Sequence, residues 1–219
     1  MDKLIDLTHS PIHFKLYAIT DRILCAPRSL YDVLHALLDA GVPAIQLREK
    51  DLSDMEFIKL AEPIAKLCQS YPVKLFINSR VELAINLGVD GVHLPANSAS
   101  VEEIRPQTKK NFLIGCSVHT LDEARKRERE GADFVTYSPI FLTASKPGYG
   151  PAVGVDNLRK VAEAVKIPIF ALGGITPERA SECIRAGAHG VAVMSGLMSP
   201  ENAVYHAKAF LRRLSRISL

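Results

Sequence analysis

Several features that would fix a protein's class early are missing from this chain. It has only four cysteines in 219 residues, Cys25, Cys68, Cys116 and Cys183, and no two of them form a CxxC pair. That spacing argues against both a zinc knuckle and a disulfide framework. Cys116 and Cys183 stand in apolar patterns and read as small core residues. No apolar run approaches the roughly 20 residues that cross a bilayer. The opening stretch "MDKLIDLTHSPIHF" has no signal-peptide core. Neither charge sign dominates, since 27 basic and 24 acidic residues leave a formal net charge of +3. Without a basic block carrying interleaved aromatics, nucleic acid is not an expected partner. No GxGxxG follows the first expected strand, which argues against a dinucleotide crevice. No membrane is expected as a partner either, and the expected location is cytoplasmic.

What the chain does have is 47% apolar residues, enough for a sizeable core. It also has an internal repeat. "DAGVPAIQLREK", "NLGVDGVHLP", "REGADFVTYSP" and "RAGAHGVAVMSG" each run from a helical pattern through glycine into a continuous apolar strand. Gly41, Gly88, Gly131 and Gly187 stand where a helix needs a left-handed residue just past its end. They recur about every 45 to 55 residues, roughly two βα units. Further strands fit "LYAIT", "KLFIN", "NFLIG" and "IPIFAL". All are apolar throughout, as expected for strands covered on both faces. Helices are predicted over 53–69, 79–87, 120–130 and 176–186, with Ser53, Thr120 and Thr176 as N-caps and Pro177 at a first helical position. Eight strands alternating with helices, and no low-complexity linker, predict an α/β fold: a single (β/α)8 TIM barrel over residues 15–219. An open doubly wound sheet is the runner-up. Residues 1–14 are an N-terminal extension, expected to form an extra helix under the barrel.

Chemistry in such a barrel gathers at the carboxyl ends of the strands. In "QLREK", Gln46, Arg48 and Lys50 alternate toward one side, and two cations beside an amide suit a phosphate or pyrophosphate with a polar ring. Asn78 ends the third strand. Ser117 and His119 end the fifth, and a histidine there can exchange protons at cellular pH. The long loop after the sixth strand carries Thr143, Ser145 and Lys146, hydroxyls and a cation able to grip an anion. Tyr149 in the same loop is a candidate to close over a ligand. Gly173, Gly174, Ser195 and Gly196 follow strands seven and eight, where this fold usually cradles phosphate. His93 and His189 read as structural, and His9, His13, His35 and His206 have no constellation around them. The run "RKRER" at 125–129 reads as a solvated helix face.

Across nearly its whole length the chain resembles the thiamine phosphate synthase and thiazole tautomerase (TenI-like) superfamily. The matching motifs are "YAITDR", "IQLREK", "INSRVELA", "GVHLP", "GCSVHTLDEA", "SPIFLTASKPG", "ALGGITPE" and "GVAVMSG". The resemblance implies a (β/α)8 barrel, a small phosphorylated thiazole substrate and often a homo-oligomer. In the synthase branch, which joins a pyrimidine pyrophosphate to a thiazole phosphate, it assigns Gln46, Arg48, Lys50, Asn78 and Lys146 to the pyrimidine pyrophosphate. It assigns Ser117 to the pyrimidine, and Thr143, Ser145, Gly174 and Ser195 to the thiazole phosphate. That branch also holds magnesium on two aspartates, and here those positions are Ser79 and Ser98. Neutral hydroxyls are poor magnesium ligands, although Glu49 or Asp51 could cover one loss and a pyrophosphate substrate can itself carry a metal. The tautomerase branch aromatises a carboxythiazole phosphate by a proton shift without a metal or other cofactor, and "HLPANSAS" looks like its version of the fourth loop. There the resemblance gives the proton to His119, with Arg48, Lys50 and Lys146 facing the substrate carboxylate. The expectation is therefore a metal-independent isomerase. The alternatives are a magnesium-using synthase, or a non-catalytic relative that binds the same phosphates.

Overall fold

The computed structural model describes residues 11–142, 152–199 and 202–216. Eight parallel strands run β1 (Leu16–Ile19), β2 (Ala44–Leu47), β3 (Lys74–Asn78), β4 (Gly91–Leu94), β5 (Leu113–Val118), β6 (Phe134–Tyr137), β7 (Ile169–Leu172) and β8 (Gly190–Val193). Each pairs with the next, and β8 pairs back onto β1, so the sheet closes into a barrel. Helices lie between and after them: α1 (Leu30–Asp39), α2 (Asp54–Cys68), α3 (Val81–Asn86), α4 (Val101–Ile104), α5 (Leu121–Arg129), α6 (Gly154–Ala164), α7 (Pro177–Arg185), α8 (Ser195–Met198) and α9 (Ala203–Ser215). The expected (β/α)8 barrel is the fold found.

The local signals act as their chemistry requires. Ser53 accepts from Glu56 N–H while Glu56 reaches back, a complete capping box; Thr120 and Thr176 cap α5 and α7 with the hydroxyl alone, accepting from the Glu123 and Arg179 N–H groups. Gly41, Gly88, Gly131 and Gly187 all have left-handed φ, from +64° to +96°. Each stands three residues before an even-numbered strand, so the repeat seen in the sequence is one pair of βα units. The helix predicted from residue 79 begins at Val81 instead, because Ser79 takes φ +64° and cannot continue into a right-handed turn.

The lower barrel is filled by aromatic rings. Tyr17, Phe76, Phe134 and Phe170 meet one another with centroids 5.3–5.9 Å apart, mostly tilted or edge-on. Glycines make room for them: a Cβ on Gly91 would stand 2.8 Å from the Phe76 ring, and one on Gly190 would stand 2.6 Å from Phe170. Below them Phe14 stacks 5.1 Å from Phe170 and meets Phe134 edge-on, while Ile12 is also buried. His189 Nε2 donates to the Phe14 carbonyl (3.1 Å), a structural role as expected. Residues 11–14 thus plug the bottom in non-helical form. The rest of the predicted extra helix lies outside the described residues.

Candidate active site

One step further along the strands the interior changes character. Ile19, Gln46, Asn78, His93, Ser117, Thr136, Leu172 and Ala192 form the floor of a cavity of about 580 Å³. The polar members come from β2 to β6 and the apolar ones from β7, β8 and β1. Arg48, Lys50, Pro95, Ala96, Asn97, His119, Gly173, Gly174 and Ser195 stand around it higher up. Among the described residues no aspartate or glutamate lines this cavity, whereas two cations do. Such a surface suits an anion bearing a ring with one hydrogen-bonding edge. Gln46 lines the cavity but is only 2% exposed, and its side chain also interacts with the Tyr17 hydroxyl in the layer below.

The cations of "QLREK" face the cavity because the glutamate between them is held elsewhere. Glu49 is buried and accepts from Thr20 Oγ1 (2.6 Å), from the Arg22 N–H and from Arg22 Nη1 (3.2 Å). Thr20 Oγ1 in turn accepts from the Arg48 N–H (2.8 Å). Arg22 also grips Asp51 through both terminal nitrogens. Among the described residues neither Arg48 nor Lys50 forms an ion pair. Lys50 sits exposed at the rim, yet desolvation by the surrounding wall, then the Arg48 charge, lowers its pKa.

His119 follows β5, and its Nδ1 lies 2.8 Å from the Ser138 carbonyl oxygen. A carbonyl can only accept, so Nδ1 carries a proton, and the tautomer this selects has its lone pair on Nε2. Glu123 Oε2 accepts from the His119 N–H (2.6 Å), which ties the backbone to the first turn of α5. His93, read from sequence as structural, is also part of the cavity floor. Its Nε2 lies 3.1 Å from Ser117 Oγ and 3.3 Å from Thr136 Oγ1. Burial, then the nearby Arg48 charge, pushes its pKa down to about 3, so it is neutral at cellular pH. It thus orients Ser117, and Thr136 joins the site as a residue the sequence reading passed over.

The loops after β6, β7 and β8 converge opposite. Gly173 and Gly174 have φ +101° and +62°, and a Cβ on Gly174 would stand 2.7 Å from the Leu142 carbonyl oxygen, so backbone alone fits there. Arg179 Nη1 donates to the Gly174 carbonyl (2.8 Å), and its guanidinium lies 4.5 Å from the centre of the Phe141 ring. Ser195 lines the cavity, but Gly196 does not. Its carbonyl accepts instead from His206 Nδ1 (3.0 Å), so Gly196 is a brace behind the loop and His206 has a partner after all. Thr143, Ser145, Lys146 and Tyr149 lie outside the described residues.

A barrel with this cation-rimmed cavity has recognisable relatives. The chain matches the TMP-TENI family, described as thiamine monophosphate synthase, over residues 16–197. It belongs to that family. An Aquifex aeolicus protein provisionally named thiamine-phosphate synthase 2 is 44% identical over 83% of this chain and 96% of its own. The thiamine-phosphate synthase of Roseiflexus castenholzii is 40% identical over 86% of this chain and 84% of its own. Among solved structures, a thiamine phosphate pyrophosphorylase from Pyrococcus furiosus superposes with a TM-score of 0.82 at 31% identity, covering 92% of this chain and 96% of that one. The resemblance at superfamily level holds. The relatives carry synthase names, so the names side with the coupling branch rather than with the tautomerase branch the sequence favoured.

The TMP-TENI site of this chain differs from a magnesium site in its donors. Ser79 and Ser98, at the two positions where the synthase resemblance expects aspartate, do not line the cavity. Ser98 Oγ is turned to Arg127, whose Nη2 lies 3.1 Å away. Glu49 and Asp51 are both engaged by Arg22, and neither lines the cavity. Among the described residues no group of acids, histidines and cysteines could hold a metal. The described residues do not fit magnesium. Arg127 itself corrects the sequence reading: it is 3% exposed, and far from lying on a solvated face it inserts beneath the loop after β4. No helix of the described residues is long and apolar enough to cross a membrane.

Proposed function

We propose that this TMP-TENI protein is an enzyme of thiamine biosynthesis that catalyses a metal-independent proton shift, aromatising a carboxythiazole phosphate. The observation that carries this reading is a cavity wall holding an imidazole of fixed tautomer and two cations but, among the described residues, no carboxylate. The phosphate monoester would rest on the backbone at Gly173, Gly174 and Ser195, with the ring over Gln46 and Ser117. Arg48 and Lys50 would meet the substrate carboxylate. His119 Nε2 would take a proton from a ring carbon, the electron pair would move into the ring, and a proton would return at a second carbon. The sum is an isomerisation with no leaving group: no departing pyrophosphate needs a metal, and the negative charge left when the proton is taken would be transient and delocalised, with Arg48 and Lys50 nearby. Thr143 and Ser145, outside the described residues, are proposed to serve the phosphate, and Lys146 to serve the carboxylate with Arg48 and Lys50.

A second reading is favoured by the relatives' names: transfer of a pyrimidine from its pyrophosphate to a thiazole phosphate. There Arg48 and Lys50 would take the pyrophosphate, and Asn78 and Ser117 the pyrimidine. Two assays on one preparation separate the readings. Carboxythiazole phosphate in deuterated water, followed by NMR, is expected to incorporate deuterium and aromatise at a rate unaffected by EDTA. Magnesium-dependent formation of thiamine phosphate from the two coupling substrates would overturn the isomerase reading. Binding of both substrate sets without turnover would overturn both readings and leave a phosphate-binding relative.

A further inference from the structure

The loop after β4, residues 95–99, has a cation at its centre. Arg127 reaches it from α5 and donates to the carbonyls of Pro95 (3.2 Å), Ala96 (2.9 Å) and Ala99 (3.1 Å), and to both the carbonyl and the hydroxyl oxygen of Ser98 (3.5 and 3.1 Å). Glu130 Oε2 completes the shell at 2.8 Å, and the same carboxylate accepts from the Val101 N–H where α4 begins. A buried guanidinium inside a ring of backbone oxygens satisfies both itself and a loop that would otherwise leave carbonyls unpaired. Pro95, Ala96 and Asn97 form cavity wall on the other side of that loop. The helix that carries Arg127 is also the one whose first turn holds the His119 backbone.

We infer that Arg127 is the resident cation of this site: a positioning residue that fixes the β4 wall and captures position 98, so that the loop cannot present a ligand to a divalent metal. The inference rests on the metal-independent reading above and gives it a cause beyond the two missing carboxylates. It says that restoring them is not enough. A carboxylate placed at 98 pairs with the guanidinium, because Ser98 Oγ already lies within hydrogen-bonding distance of it.

The test restores the acids. Ser79→Asp is compatible with the left-handed backbone at that position, which aspartate tolerates. The parent, S79D/S98D and S79D/S98D/R127Q are titrated with Mn2+ in the presence of inorganic diphosphate, with free Mn2+ read by electron paramagnetic resonance. S79D/S98D is expected to bind no more tightly than the parent, and the triple variant about tenfold or more tightly. Tight binding by S79D/S98D with Arg127 intact overturns the inference while leaving the isomerase reading standing. Tight binding by the parent overturns that reading itself. A folded triple variant that gains no affinity also overturns the role given to Arg127. A second measurement does not depend on the triple variant folding. S98D is expected to melt about 2–4 °C above S98N at pH 7, an advantage lost as the pH falls below about 3, because the pair depresses the carboxyl pKa. S98D melting at or below S98N at pH 7 would overturn the inference.

Discussion

The two ends of this barrel use the same strands for opposite purposes. At the bottom, inward side chains are aromatic, glycines on the neighbouring strands admit their rings, and Phe14 seals the opening. Two residues further along each strand, the inward positions become Gln46, Asn78, His93, Ser117 and Thr136, and the barrel opens into the cavity. A strand advances two residues between successive side chains on one face, so one register step separates a sealed core from a reactive surface. Stability and chemistry therefore belong to adjacent layers, and substitutions should separate them.

The sharpest separation should come from His119→Ala. Solvent deuterium exchange at the thiazole is expected to slow by about 100- to 10,000-fold, with phosphate-ester affinity and melting temperature nearly unchanged. Unchanged exchange would remove His119 from the mechanism. The reverse case is Phe134→Ala, which empties the layer below. Urea unfolding should show a loss of roughly 3–5 kcal/mol, while the exchange rate of the protein that remains folded stays close to the parent's. Exchange lost from the Phe134→Ala protein that remains folded would mean the two layers are coupled.

A third prediction concerns His93, which belongs to both layers. Its folded pKa of about 3 lies below the ordinary value of 6.5, so between those limits the unfolded chain binds a proton that the fold excludes. Stability should therefore fall as pH falls through that window, by up to roughly 1.4 kcal/mol per pH unit. The urea midpoints of the parent and His93→Gln at pH 7 and pH 5 test this: the variant should lose less on acidification. His189, lowered in the same direction by burial, leaves it a residual slope. The smallest effect is expected from Gly174→Ala, where φ +62° costs an L-residue roughly 1–2 kcal/mol and the new Cβ crowds the Leu142 carbonyl. Calorimetry with inorganic phosphate should show affinity falling by about tenfold.

Much of this layout was legible before the structure. Glycines past helix ends, hydroxyl caps and unbroken apolar strands are local signals, and each found its place. Gln46, Arg48, Lys50, Asn78, Ser117, His119, Gly173, Gly174 and Ser195 were identifiable because a barrel puts every strand end in one place, and all nine line the cavity. The misreadings concern residues whose partners no local pattern reveals. Arg127 lies in a strongly charged helix, and its partners are carbonyls about thirty residues away, invisible to any local pattern. One signal was available: Leu121, Ala124 and Arg127 are three apart, which puts the arginine on the face that packs inward. His93 looked structural because its strand is otherwise apolar, and only closure of the barrel sets it beside Ser117 and Thr136. Gly196 was grouped with its neighbours by motif, but its carbonyl faces His206 instead.

The acceptor that assigns the proton on His119 is a main-chain oxygen, and that has an evolutionary corollary. Codon changes at position 138 alter a side chain and leave the carbonyl where it is. The base proposed here is thus insulated from mutation at the very residue that orients it, whereas a base oriented by a carboxylate can be disarmed by one nucleotide change. On the proposed mechanism, descendants of this chain can trade one heterocycle for another by varying the surrounding pocket while inheriting the same oriented nitrogen.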